Sequence, residues 1–226
     1  MPKQKRASDT CPPFAVKDCA LVAIATGRRA QNLKELRDEL EAADPASIYF
    51  HFWGGLLRPV FDDPRYNNGF ARWVDRELHN QALAERLSVI DPVDYPDTRE
   101  LRKELLDVIE EELDCGNTLP WTTREQQFHF VRSQIVVFDT RRAVERPPRL
   151  PDAVASMTPT SVFYHFVDAR RRTPEHVDDF STWLADWDRE GFEELCRTLA
   201  GVDPFFRSLV ETREELVQVF SDALGN

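Results

Sequence analysis

The chain has 226 residues, 40 acidic against 29 basic, for a formal net charge of -11. That balance repels phosphate backbones and anionic bilayer surfaces, so neither nucleic acid nor a membrane is expected as a partner. Cys11, Cys19, Cys115 and Cys196 show no C-x-x-C spacing, which argues against a zinc finger or a disulfide framework. The longest apolar run, Ala20–Ala25, is too short to span a bilayer, and the cytoplasm is the expected location.

Residues 1–13 lack apolar periodicity and end in Pro12-Pro13, the pattern of a disordered tail. Phe14–Ala25 carries two signals: aromatic and β-branched residues that favour a strand, and K-D-C-A-L-V-A-I-A, a good helix former ending at Gly27. Phe128–Asp139 is its counterpart, and both are expected to form a short strand, Phe14–Lys17 and Phe128–Val131, followed by helix. Asn32 with Glu35 reads as a capping box opening a helix to about Ala43. Asp44 then caps a helix with Pro45 in its first turn, and S-I-Y-F-H-F puts Ser47 and His51 on one face until Gly54-Gly55 interrupts it. Phe70, Trp73, Val74 and Leu78 form an apolar stripe that Leu83 and Leu87 extend to Asp91-Pro92. Asp97 with Glu100 opens a last helix carrying Leu101, Leu105, Val108 and Ile109. The connector 114–127 bears Leu119 and Trp121, apolar residues a freely solvated linker has little use for.

The chain then says the same thing again. Phe14–Phe52 lies over Phe128–Phe166 without a gap, with Thr26/Thr140, Arg28/Arg142, Ser47/Ser161 and His51/His165 among the identities. In the second copy Pro151 delays the first helix, and Thr158 and Pro159 open the S-V-F-Y-H-F helix, which continues through Val167–Arg172 to Thr173-Pro174. Phe180, Trp183, Leu184 and Trp187 repeat the stripe, Asp203-Pro204 repeats the stop, and Thr212 with Glu215 reads as the cap of a final helix. The expected fold is mainly α: two pseudo-symmetric helical repeats, 14–113 and 128–224, packed as one unit with at most a short strand pair.

No nucleophile elbow, phosphate loop, H-E-x-x-H or dinucleotide fingerprint is present, so the sequence names no catalytic residue and no cofactor. The ligand-binding candidates are Ser47, His51, Ser161, His165, Arg28 and Arg142. Each histidine reads most simply as a helix residue satisfied by a neighbouring hydroxyl or backbone group. Alternatively His51 and His165 converge on a metal ion, with a carboxylate such as Asp168 or Asp63 completing the set. A Ser–His pair one turn apart also resembles an activated nucleophile, but no orienting acid is evident. Arg28/Arg29 and Arg141/Arg142 precede helices, where guanidinium groups suit a carboxylate or phosphate. Arg170–Arg172 reads as a solvated helix end, and His79, His129 and His176 as surface residues. These readings favour a non-catalytic binding or regulatory module for a protein partner or a small anionic ligand. The rival is a metal-dependent enzyme or metal binder using the two histidines.

The T-G-R-x-A turn (Thr26-Gly27-Arg28), the box Ser47–Phe52, the segment D-F-S-T-W-L at Asp179–Leu184 and the later Asp-Pro steps carry a resemblance. Over Phe14 to Leu224 the chain resembles an uncharacterised bacterial family, domain-of-unknown-function family 5752. The resemblance implies a soluble bacterial protein and brings no established activity. The first copy departs at Gly69-Phe70-Ala71, where Asp and Ser are replaced, and the second at Thr140-Arg141, where the glycine is missing.

Overall fold

The structure, a computed structural model, describes residues 11–57, 65–115, 120–173, 175–188 and 191–225. Most of the tail 1–13, and Asp63, Leu119 and Pro174, lie outside the described residues. Helices dominate: α1 (Leu33–Glu41), α2 (Pro45–Trp53), α3 (Gly69–Leu78), α4 (Gln81–Ser88) and α5 (Thr98–Asp114) precede α6 (Leu150–Ala155), α7 (Pro159–Val162), α8 (Ala169–Arg172), α9 (Asp179–Asp188), α10 (Glu193–Ala200) and α11 (Leu209–Leu224). Between α7 and α8 the helix widens without a break into a π-helical stretch, Phe163–Asp168.

The two ambiguous segments are strands throughout, and the helix expected after Lys17 and Val131 does not form. β1 (Phe14–Ala30) and β2 (Phe128–Val144) pair as a two-stranded sheet. Thr26 Oγ1 donates to the Phe130 carbonyl at 2.6 Å and Thr140 Oγ1 to that of Val16, so the partner number falls as the other rises and the strands are antiparallel. The helix former A-L-V-A-I-A loses because each residue in it gains a ladder partner, and inward alternation at Phe14 and Val16 fixes which face is buried.

The chain divides into two compact units, not one. The first holds the chain through Ala20 together with Val136 onward; the second is Leu21–Ile135. The division runs through both strands and not through the connector 114–127, where Trp121 is 68% exposed. In the second unit α5 packs on α1, α2 and α4, and α3 packs on α2 and α4. In the first unit α11 is the shared partner of α6, α7 and α10, and α9 packs on α10 and on the π-helical stretch.

The caps explain most helix boundaries. Asn32 accepts the Glu35 N–H, Asp44 that of Ala46, Thr158 that of Ser161 and Asp97 those of Arg99 and Glu100. The last helix starts earlier than expected: Ser208 and Glu211 form the capping box, while Thr212 is buried inside α11 with its hydroxyl on the Ser208 carbonyl. The core is aromatic, with Phe52, Phe70, Phe130, Phe163, Phe166, Phe180 and Phe220 all fully buried.

Candidate functional site

Ser47, His51, Ser161 and His165 are all buried, on α2 and on the α7–π helix. Helical spacing puts each serine and histidine one turn apart on one face. In the first unit both face Lys17 of β1: Ser161 Oγ donates to the Lys17 carbonyl at 2.6 Å, and the Lys17 N–H donates to His165 Nε2 at 2.8 Å. In the second unit they face Val131 of β2: Ser47 Oγ donates to the Val131 carbonyl at 2.9 Å, and the Val131 N–H donates to His51 Nε2 at 3.3 Å. One helix turn therefore satisfies both backbone groups of a strand residue, as a neighbouring strand would.

The strand starts are held in the same way. Trp183 Nε1 donates to the Pro12 carbonyl at 2.8 Å, and Trp73 Nε1 to that of Gln126 at 2.8 Å. Phe14 sits among His165 (4.8 Å between centroids), Phe180 (5.1 Å) and Trp183 (5.8 Å). Phe128 sits among His51 (4.5 Å), Phe70 (5.2 Å) and Trp73 (5.6 Å). Both tryptophans are thus core residues with a satisfied N–H.

An orienting acid absent from the sequence reading sits beside His165. Asp179 Oδ2 lies 2.7 Å from His165 Nδ1, so with Nε2 accepting from Lys17 the ring carries its proton on Nδ1. Gly69 occupies the corresponding sequence position beside His51, where a Cβ would lie 2.9 Å from Nδ1. The Asp/Gly departure already visible in the sequence was the signal that could have found Asp179. Ser–His–Asp chemistry does not follow, because the imidazole nitrogen a nucleophile needs is taken by the strand amide and the serine hydroxyl points to a carbonyl. Cys19 is no nucleophile either: burial first, and then Asp18, push its thiol up to about 12.

Arg170–Arg172 is wired into the first unit and is not a merely solvated helix end. Asp168, 1% exposed, receives Arg171 and Arg172, and Arg172 also reaches Asp179 at 3.0 Å. Arg170 donates to the carbonyls of Leu199 and Val202. His51 lies in one unit and His165 in the other. Among the described residues no group of three or more His, Cys, Asp or Glu side chains is placed to hold a metal ion, and Asp63 lies outside them.

The candidate arginines end differently. Arg142 donates to the carbonyl and hydroxyl of Ser156. Arg28 pairs with Glu39 at 2.9 Å on the wall of a cavity of about 700 Å³ in the second unit. Arg29 and Arg124 line the same cavity with Glu35 and Gln127; Glu35 was legible only as a helix-start residue, and Arg124 and Gln127 carry no local motif. The turn that presents Arg28 depends on Gly27 at φ 79, and Arg141 takes up φ 58 at the corresponding position before Arg142.

These contacts define a helix-dominated protein in which serine and histidine side chains hold a long two-stranded ribbon. The chain belongs to the family described as Family of unknown function (DUF5752), which it matches over residues 11–221. It is similar to OrfY from Thermoproteus tenax, whose solved structure is 32% identical, with 95% of this chain and 97% of that chain covered and a TM-score of 0.82. No curated protein matches the chain. No described helix is long and apolar enough to cross a membrane.

Proposed function

We propose that the protein is a non-catalytic binding module for a small anionic ligand, built by internal duplication of a helical repeat. One observation carries the non-catalytic reading: the paired serines and histidines direct their polar atoms at one strand residue each, Lys17 or Val131. Residues held this way position backbone; they do not meet a substrate. The duplication is supported by the matching anchors, since Lys17 and Val131 correspond in the two copies, as do Pro12 and Gln126 under the two tryptophans. On this reading each copy's helices hold the strand start of the other copy.

The test combines an unbiased turnover screen with elemental analysis of untagged protein, on the native chain and on His51→Ala and His165→Ala. Metal-free protein without turnover, destabilised by either substitution, is the expected outcome. Turnover abolished by His165→Ala, or near-stoichiometric zinc, iron or manganese lost in both variants, would overturn the reading in favour of a metal-dependent enzyme or binder.

A further inference from the structure

The second unit's cavity holds a mismatch between charge and partners. Three arginines line it, Arg28, Arg29 and Arg124, against two glutamates, Glu35 and Glu39. Both carboxylates are engaged: Glu39 by Arg28 at 2.9 Å, and Glu35 by the Gln31 N–H at 2.8 Å, a bond that also holds the start of α1. Arg29 and Arg124 have no hydrogen-bond or ion-pair partner among the described residues. Two arginines from different segments, lining one concave space without a partner among the described residues in a chain of net charge -11, suit a counter-charge supplied from outside.

A second observation restricts the ligand. Gln127 lines the cavity, and its amide oxygen is buried with no hydrogen-bond partner. A buried acceptor left unsatisfied is unfavourable, and a donor on a molecule bound in the cavity that Gln127 lines would satisfy it. The carboxylates on the wall also favour donors over bare acceptors. The ligand therefore needs negative charge for the arginines and an O–H for the acceptors.

We infer that this cavity binds a small phosphate-type oxyanion carrying an O–H donor: hydrogen phosphate, or a hydroxylated phosphomonoester. This rests on the reading of the protein as an anion-binding module and specifies where and what it binds. Sulfate has the same shape and charge as hydrogen phosphate but offers no proton, so the site discriminates between them. The distinction is the ordinary consequence of presenting acceptors to an anion.

The experiment is calorimetric titration of the full chain with inorganic phosphate, sulfate and glycerol 1-phosphate. Phosphate and glycerol phosphate are expected to bind, with sulfate several-fold weaker. Arg29→Gln and Arg124→Gln each lose about tenfold or more in phosphate affinity, as expected for removing a charge-assisted bond. Glu39→Gln, which releases Arg28 from its partner, strengthens binding several-fold, a gain that a folding defect would not produce. Gln127→Leu brings phosphate and sulfate closer together. Arg29 and Arg124 are exposed, so their variants keep the native melting temperature, and that measurement accompanies each titration. No phosphate binding, or binding untouched by both arginine substitutions, overturns the site; equal affinity for phosphate and sulfate overturns the donor requirement. Turnover lost in His165→Ala would instead remove the non-catalytic reading and leave the anion site standing.

Discussion

Replacing Ser161 and His165 by alanine, singly and together, tests whether these residues anchor β1. Ser161→Ala leaves the Lys17 carbonyl without the hydroxyl that now reaches it at 2.6 Å, a loss of about 1 kcal/mol for one part-buried bond. His165→Ala removes more. It orphans the Lys17 N–H, at about 1–3 kcal/mol, and takes away one of the two partners of Asp179, at about 1 kcal/mol since Arg172 remains at 3.0 Å. It also opens a ring-sized hole beside Phe14 and Phe180, at about 2–4 kcal/mol by analogy with large-to-small core changes. Partial relaxation makes the sum an overestimate, so about 4 kcal/mol is expected for His165→Ala and about 1 for Ser161→Ala. Because both act on one strand residue, the double variant should cost less than the two added together. Urea unfolding with linear extrapolation measures the totals. Amide exchange at Lys17 locates the effect, with Val131, held by His51, as the internal control. If the Lys17 amide exchanges no faster in His165→Ala than in the native chain, the anchoring argument is wrong.

Three other substitutions probe single features. Arg141→Gly should stabilise the chain by about 1 kcal/mol in the same unfolding assay, since Arg141 sits at φ 58 where glycine carries no Cβ penalty; an unchanged or lower midpoint would refute this. Gly69→Ala should destabilise by about 1–3 kcal/mol because its Cβ would press on His51 Nδ1 at 2.9 Å, whereas Gly55→Ala, with its nearest neighbour at 3.5 Å, should be mild. Asp178 is 2% exposed, and burial, outweighing its bonds from Ser181, raises its carboxyl above the ordinary 3.8. The folded state thus holds this proton more tightly than the unfolded chain, a contribution present below about pH 4 and lost as pH rises through the folded value. Asp178→Asn should therefore gain stability relative to the native chain as pH rises above the ordinary carboxylate value of 3.8 in parallel melts, and a difference independent of pH would count against the argument.

Helix starts were legible because a cap is a local event: Asn32, Asp44, Asp97 and Thr158 act on amides two or three residues away. Where two local signals overlap the sequence is ambiguous, and Ser208-x-x-Glu211 prevailed over Thr212-x-x-Glu215 because Thr212 is needed in the core. The full strands were not legible, since A-L-V-A-I-A is extended only by virtue of a partner strand more than a hundred positions away. The same limit applies to the site. The sequence marked Ser47, His51, Ser161 and His165 by their spacing, but their targets are backbone groups 80 to 148 positions distant, and a backbone group has no residue type to recognise. Arg28 was visible for its place in a turn, whereas Arg124 and Gln127 come to the same cavity from the end of the connector.

The way the two units share the strands bears on how the chain is made. As it leaves the ribosome, Leu21–Ile135 is complete once Ile135 has emerged, and its helices can close on β2 at Val131. Cys11–Ala20 was synthesised earlier than any of that, yet its partners, Ser161, His165, Phe180 and Trp183, are translated only after that unit is complete. The first described segment to appear is thus among the last to find its place, with Phe14 and Val16 exposed meanwhile. Slower translation beyond Ile135 lengthens the time for which Phe14 and Val16 wait for their partners.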